Sequence, residues 1–148
     1  MSDDIYIIGA GGFGREVADT ISQLTDHRLV GFIDNWLSVG TVVNGREVCG
    51  QISDLEKMSS KPRVVIAIGN ARVRAEIYER LSGKCDFPSI VHPKADVSPH
   101  AKISEAVIVQ ANCIIAANVS IGTGVIINAN SGVGHDASVG DFCSIMSF

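Results

Sequence analysis

A histidine and an aspartate stand next to each other near the carboxyl end of the chain, at His135 and Asp136. A neutral imidazole can take a proton from an attacking nucleophile near pH 7, and a carboxylate can orient the ring and stabilise the imidazolium that forms. Adjacent side chains do not necessarily meet, so the sequence leaves the pairing of Asp136 open. The alternative is a surface histidine at a turn. The two residues are therefore candidates for general-base chemistry.

A second group of residues could hold a phosphate. Gly9, Gly11 and Gly14 fit the spacing GxGxxG, in which glycines let the backbone approach a phosphate at the positive end of a helix. Asp34 comes twenty residues after the last glycine, where it could accept hydrogen bonds from a ribose or a base. Taken alone, this motif suggests NAD.

The elements around these glycines favour a smaller ligand. Apolar runs predict parallel strands at residues 5–8, 29–33, 64–68 and near 87–91, with helices over about 15–24 and 71–81 and a loop containing Gly45 and Gly50. This is one mononucleotide-binding half of a doubly wound sheet, and a dinucleotide spans two such halves. A nucleotide or nucleotide sugar therefore fits better than NAD.

The residues after position 93 follow a period of six. A Val or Ile recurs at every sixth position, and residues two places earlier are small or β-branched. A hexad is typical of a parallel β-helix, in which three hexads form one coil and residues eighteen apart stack. The recurring residues are Val97, Ile103, Val109, Ile115, Ile121, Ile127, Val133, Val139 and Ile145. Asn112, Asn118 and Asn130 each stand three residues after a recurring Val or Ile, where a left-handed backbone conformation is expected. A purely architectural β-helix without chemistry is the alternative.

Composition narrows the class of protein. The 148 residues are 46% hydrophobic and 5% aromatic, which suits a core of aliphatic side chains. A net charge of −4 without a basic cluster predicts no nucleic-acid partner. The four cysteines form no CxxC pair, so no metal site is expected. The acidic start, Met1 to Asp4, and the short apolar run after it predict neither a signal peptide nor a membrane span, hence a soluble, intracellular protein.

The motifs together resemble one family over essentially the whole chain. The segments IIGAGGFGRE, GFIDN, NGREVCG, AIGNARVR, SIVHPKADVSPHA and INANSGVGHDASVG occur in the order found in hexapeptide-repeat sugar acetyltransferases of the sialic acid O-acetyltransferase and bacillosamine N-acetyltransferase type. The resemblance implies an α/β Rossmann-like half-domain with a parallel sheet, followed by a left-handed parallel β-helix. We place the nucleotide-sugar-binding domain at 1–92 and the acetyltransferase domain at 93–148.

The same resemblance implies the ligands and the site. The expected substrates are a nucleotide-linked amino sugar and acetyl-CoA as co-substrate, without a metal, and the expected assembly is a cytoplasmic homotrimer. The family motif matches His135 and Asn128, so the candidate catalytic residues are His135, Asp136 and Asn128. The candidate substrate-binding residues are Gly11, Gly12, Phe13, Asp34, Asn35, Gly69, Asn70 and Arg72. For Gly69 and Asn70 a helix N-cap is an alternative role.

Three functions follow from the resemblance. The first is N-acetylation of a nucleotide-linked amino sugar in surface glycan or polysaccharide synthesis, and the second is O-acetylation of sialic acid or a related sugar. Because the chain ends at Phe148 in the ninth hexad and relatives continue through further coils, we expect an incomplete β-helix of about three coils. The third function is therefore a truncated, non-catalytic protein that binds nucleotide sugars.

Overall fold

The computed structural model describes residues 3–147. Contacts divide the chain into two compact units, Met1–Phe87 and Pro88–Phe148, called unit 1 and unit 2 below. Met1, Ser2 and Phe148, which entered the expectations about targeting and chain length, lie outside the described residues. No helix in this described range is long and apolar enough to cross a membrane.

Unit 1 is a five-stranded sheet with helices. The strand order is β3-β4-β2-β1-β5, and every neighbouring pair is parallel except β3 with β4. The unalternating apolar runs are buried as predicted: Ile5, Ile7 and Ile8 are at most 2% exposed. The elements are β1 (Asp4–Ile8), α1 (Gly12–Ser22), β2 (Arg28–Ile33), β3 (Val42–Val43), β4 (Arg46–Gly50), α2 (Ile52–Leu55), β5 (Arg63–Ile66) and α3 (Ala71–Leu81).

The loop predicted after Asp34 is wrong in its second half, which forms a β-hairpin. The turn residues Asn44 and Gly45 have φ angles of 47° and 78°, the left-handed values that a type I′ hairpin turn needs. Asn-Gly is the strongest short hairpin signal in a sequence, so the residues themselves contained this information. The hairpin brings β4 alongside β2.

The strand predicted near 87–91 as the last strand of the α/β sheet is also wrong. Asp86 makes only an isolated parallel bridge with Arg63. Ile90–Val91 instead pairs with Ile108–Val109 in unit 2. Pro88 lies between these two segments and has no N–H to donate, so it cannot continue a hydrogen-bonded ladder.

Unit 2 is a stack of two-residue strands six residues apart. Strands eighteen residues apart are parallel neighbours, for example Ile115 between Val97 and Val133. The register confirms the predicted fold class, a parallel α/β unit followed by a β-helix of hexapeptide repeats. The strands are β6 (Ile90–Val91), β7 (Asp96–Val97), β8 (Lys102–Ile103), β9 (Ile108–Val109), β10 (Ile114–Ile115), β11 (Ser120–Ile121), β12 (Ile126–Ile127), β13 (Gly132–Val133), β14 (Ser138–Val139) and β15 (Ser144–Ile145).

Both predicted columns contribute side chains to the interior of the coil, although Cys143, at the end of the second column, is exposed. The core contains the recurring Ile121 and Ile127 and also the earlier column, in which Val107 and Val119 are fully buried. β-branched side chains suit this interior because they fit an extended backbone and stack closely. The coil therefore rests on aliphatic stacking, which explains the low aromatic content.

The corner residues of the coil have left-handed backbone conformations. Asn112, Asn118 and Asn130 have φ angles of 58°, 61° and 62°, as the sequence predicts for asparagines three residues after an inward apolar side chain. In the part of unit 2 that the structure describes, the residues with positive φ are Ala106, Asn112, Asn118, Gly124, Asn130, Asp136 and Phe142. One such corner therefore occurs in each hexad from 106 to 142.

Candidate functional site

The glycine-rich turn of unit 1 contains glycines with two different roles. Gly9 has a φ of 101°, and a Cβ there would lie 2.9 Å from the Ala67 carbonyl oxygen; a Cβ on Gly14 would lie 1.8 Å from the Gly9 carbonyl oxygen. A Cβ on Gly11 would meet nothing within 4 Å, and one on Gly12 only a side-chain atom at 3.7 Å. Packing thus requires Gly9 and Gly14, whereas the space beside Gly11 and Gly12 is open to a ligand at the beginning of α1.

Asp34 directly follows β2 and binds backbone groups of two neighbouring loops. Its Oδ2 accepts a hydrogen bond from the Ala10 N–H at 3.0 Å, and its Oδ1 accepts from Trp36 N–H at 2.8 Å and Leu37 N–H at 3.0 Å. Burial raises the pKa of the Asp34 carboxyl, but these three backbone hydrogen bonds outweigh burial and lower it overall. A carboxylate offers about four acceptor positions, so roughly one remains for a ligand.

The other predicted binding residues lie around the same edge of the sheet. Asn35 Oδ1 accepts from Ile52 N–H at 3.0 Å. Asn70 is the N-cap of α3, and its Oδ1 accepts from Val73 N–H at 3.1 Å, so the alternative capping role is confirmed. The remaining three are Phe13, half-buried in the first turn of α1, and the exposed residues Gly69 and Arg72.

Arg74, which no sequence motif singles out, stabilises the loop at this edge of the sheet. It is 1% exposed, and its Nη1 donates to the Ile68 carbonyl at 2.8 Å and to the Gly69 carbonyl at 3.0 Å. The guanidinium therefore fixes the loop between β5 and α3 in which Gly69 and Asn70 lie. The signal was an arginine where a helix would place a core-facing residue, one turn after Asn70.

Replacing Arg74 with methionine is expected to lower the free energy of unfolding by about 2 kcal/mol, because two carbonyls lose a charged donor. Urea unfolding followed by circular dichroism measures the change. Arg72→Met is the matched control, since Arg72 is exposed on the same helix and its loss should leave the midpoint unchanged. Equal midpoints for the two variants would contradict the supporting role of Arg74.

A cleft of about 360 Å³ opens where β1, β2 and β5 end. Parallel strands present their carboxyl ends at one edge, where α/β sheets bind ligands. The cleft is mostly apolar, and Trp36, one of its lining residues, is 94% exposed although its backbone N–H donates to Asp34. Its lining residues are Ile8, Gly9, Ile33, Asp34, Asn35, Trp36, Ile52, Ile68, Val73, Glu76, Ile77 and Arg80.

In unit 2 the structure brings His135 and Asp136 together. His135 Nδ1 lies 2.7 Å from Asp136 Oδ2, at a corner of the coil where Asp136 has a φ of 61°. The two side chains are exposed, so a substrate can reach them. Hydrogen bonds from His135 and then from Asn118 lower the pKa of the Asp136 carboxyl.

Asn128, the third predicted catalytic residue, is held elsewhere in the coil. Its Nδ2 donates to the Ile145 carbonyl at 3.1 Å and lies 3.8 Å from the Met146 sulfur. Within residues 3–147 no hydrogen bond joins Asn128 to His135. A catalytic role for Asn128 therefore stays a prediction.

The part of the chain that the structure describes contains no group of three His, Cys, Asp or Glu side chains that could hold a metal ion. The exposed His135–Asp136 pair can accept and donate a proton, and the cleft of unit 1 can bind a ligand at the sheet edge.

Comparison with known proteins identifies a family that matches the greater part of unit 1. The family described as the PglD N-terminal domain matches residues 4–81, more than half of the 148 residues. UDP-N-acetylbacillosamine N-acetyltransferase of Bacillus subtilis is 33% identical over 113 residues, which are 73% of this chain and 51% of that protein. The chain thus spans about half the length of this curated relative.

Solved structures extend the similarity to nearly all of the chain. The acetyltransferase domain of PglB from Neisseria gonorrhoeae, in complex with acetyl coenzyme A, has 31% identity and a TM-score of 0.89, over 97% of this chain and 70% of that one. PerB from Caulobacter crescentus, in complex with CoA and GDP-perosamine, has 28% identity and a TM-score of 0.84, over 95% and 67%.

Proposed function

We propose that this chain, which belongs to the family of the PglD N-terminal domain, is an acetyl-CoA-dependent N-acetyltransferase for a nucleotide-linked amino sugar in surface glycan synthesis. The contact of 2.7 Å between His135 Nδ1 and Asp136 Oδ2 carries the proposal. The relatives named above are N-acetyltransferases or bind acetyl-CoA, CoA and a nucleotide sugar, which supports the amine acceptor over the hydroxyl of a sialic acid.

Asp136 decides which nitrogen of His135 is free. Its lowered pKa keeps the carboxyl ionised at neutral pH, so it only accepts hydrogen bonds and His135 Nδ1 must carry the proton. The lone pair of the imidazole then lies on Nε2. This is the arrangement that a general base needs, with the opposite ring nitrogen anchored by a carboxylate.

The reaction that this base serves is transfer of an acetyl group from a thioester to an amine. As the amine nitrogen attacks the thioester carbonyl, His135 Nε2 takes the proton that the nitrogen loses. The C–N bond forms, the C–S bond breaks and the CoA sulfur leaves with the electron pair. The proton on Nε2 then passes to the CoA thiolate, which returns His135 to its starting state.

The cleft of unit 1 is the proposed site of the nucleotide. Open space beside Gly11 and Gly12 at the beginning of α1 suits a phosphate, and the apolar cleft next to Asp34 suits a base and ribose. The exposed residues Gly69 and Arg72 border the same edge and are further contacts in this proposal. Phe13, Asn35 and Asn70 also belong to the proposed binding set.

Release of the CoA thiol, measured with acetyl-CoA and four acceptors, tests the proposal. The acceptors are a UDP-linked 4-amino sugar, a GDP-linked amino sugar, the free amino sugar and sialic acid. We expect release only with a nucleotide-linked amine, and an amide in the product by mass spectrometry. Release with sialic acid alone would favour O-acetylation, and calorimetric binding without release would favour a non-catalytic binding protein; either outcome overturns the proposal.

Trp36 provides a direct optical test of the cleft, because it is the one tryptophan of the sequence. A base stacked on the exposed indole should quench its emission in a saturable manner. Trp36→Ala should weaken nucleotide-sugar binding by about 1–3 kcal/mol, or roughly 5- to 150-fold, as loss of a base-stacking aromatic does. Calorimetry measures the affinity, with Trp36→Phe as the control that keeps a ring. Unchanged emission during calorimetrically proven binding would place the nucleotide elsewhere.

The assembly and the location belong to the same proposal. A homotrimer is inferred from the resemblance, and sedimentation equilibrium at several concentrations tests it. We propose the cytoplasm as the location because acetyl-CoA and nucleotide sugars are cytoplasmic metabolites.

A further inference from the structure

Two corner stacks of the coil are built alike but carry different side chains. Corner residues eighteen apart follow one another along the coil, so Asn112 is followed by Asn130 and Asn118 by Asp136. In each stack the later backbone N–H donates at 3.0 Å to the carbonyl just before the earlier asparagine, from Asn130 to Ala111 and from Asp136 to Ala117. The backbone geometry of the two stacks is therefore matched.

The side chains of both stacks also form ladders. Asn112 Nδ2 donates to Asn130 Oδ1 at 3.1 Å, and Asn118 Nδ2 donates to Asp136 Oδ1 at 3.2 Å. The difference lies in the acceptor. Asn130 carries an amide, whereas Asp136 carries the carboxylate whose other oxygen, Oδ2, lies 2.7 Å from His135 Nδ1.

We propose that Asn118 is a positioning residue for the acetyl transfer, because it holds one oxygen of Asp136 so that the other faces His135. This inference rests on the proposed function, which makes His135 the base. A carboxylate bound at both oxygens has little freedom to rotate about its Cβ–Cγ bond, so the direction in which Oδ2 points is fixed. His135, which is exposed, depends on that direction because Asp136 is its one hydrogen-bonding partner given by the structure within residues 3–147.

The charge of the Asp136 carboxylate gives a second reason for this role of Asn118. A hydrogen bond from the Asn118 amide stabilises the ionised carboxylate, and it is the second cause, after His135, of the lowered pKa of Asp136. Asn118 therefore helps to keep Asp136 in the acceptor-only form that leaves the proton on His135 Nδ1.

Asn118→Gly is the test variant and Asn112→Gly its matched control. Glycine accepts the left-handed backbone conformation of both corners, so each variant removes one amide side chain without straining the coil. The two readouts are the carboxyl titration of Asp136, followed by NMR on the chain labelled with ¹³C at aspartate, and the kinetics of acetyl transfer as kcat, KM and their pH profiles.

For Asn118→Gly we expect the Asp136 titration to move to higher pH and kcat to fall roughly 2- to 10-fold, the loss associated with one hydrogen bond, with KM for the nucleotide sugar unchanged. Asn112→Gly should leave all three at their original values. Asn118→Asp, which puts a second carboxylate beside Asp136, should raise the titration further.

An Asp136 titration unchanged in Asn118→Gly would overturn the proposal, and so would an equal fall of kcat in both glycine variants, since that result indicates a general effect of the corners. Failure of the proposed function gives a different pattern. If His135→Ala keeps full activity, His135 is not the base and Asn118 has no positioning role in the reaction. The NMR titration still decides whether Asn118 holds Asp136.

Discussion

Replacing His135 with alanine is expected to lower the rate of acetyl transfer by about 10²- to 10⁴-fold, the loss that follows removal of a general base. The physical reason is that the attacking amine must lose a proton as the C–N bond forms, and the variant lacks the Nε2 lone pair that accepts this proton. The measurement is release of the CoA thiol under saturating substrates. Because His135 is exposed, the variant should keep the unfolding midpoint of the original chain.

The control for this change is His100→Ala, another exposed histidine of the coil. It removes an imidazole without touching Asp136. The rate of acetyl transfer should stay within a factor of about two, because surface substitutions away from a functional pair or a buried contact are close to neutral. Near-normal turnover of His135→Ala would remove this residue from the mechanism. A variant that binds CoA and nucleotide sugar normally but turns over slowly would locate the defect in the chemical step.

Replacing Gly14 with alanine should have the largest effect on stability. The new Cβ would lie 1.8 Å from the carbonyl oxygen of Gly9 and 2.8 Å from its carbonyl carbon, so the beginning of α1 would have to move away from the turn after β1. Relief of a backbone contact of this kind requires a shift of main chain, and we expect a loss of about 3 kcal/mol or more in the free energy of unfolding. Urea unfolding monitored by far-ultraviolet circular dichroism measures it.

Gly12→Ala provides the contrast within the same motif. A Cβ at Gly12 meets only an Arg15 side-chain atom at 3.7 Å, and alanine is a better helix former than glycine, so stability should stay equal or rise slightly. Binding of the nucleotide sugar should nevertheless weaken, because the methyl group occupies the space left open at the beginning of the helix. Equal stability of Gly14→Ala and the original chain would show that the turn can shift freely. An unchanged affinity of Gly12→Ala for the nucleotide sugar would contradict the proposed position of the phosphate at this turn.

Local patterns in the sequence determined most of the fold. A β-branched residue at every sixth position is typical of a parallel β-helix, so the eighteen-residue register, the inward columns and the left-handed corners at Asn112, Asn118 and Asn130 could all be predicted. In unit 1 the apolar runs and the glycine spacing located β1, α1 and the edge at which a ligand is expected.

Sequence patterns predict an element poorly where the segment is short or its pairing partner is distant in the chain. The two strands of the β3–β4 hairpin have only two and five residues, which is too short for a periodic pattern to predict them as strands. An apolar pair such as Ile90–Val91 does not by itself indicate which strand it joins, and only its pairing with Ile108 and Val109 decides that it belongs to unit 2.

The sequence by itself determined which residues could do chemistry, His135 with Asp136 and the glycines before α1, because these depend on side-chain type and short spacing. Only the tertiary structure decided how they are held. The guanidinium of Arg74 donates to the carbonyl of Gly69, and the carboxylate of Asp34 accepts hydrogen bonds from three backbone N–H groups. Asn118 donates to Asp136 on the next coil. The reason is physical: a hydrogen bond depends on the distance and angle between atoms that the chain separates by as many as two dozen residues, and only packing fixes that distance.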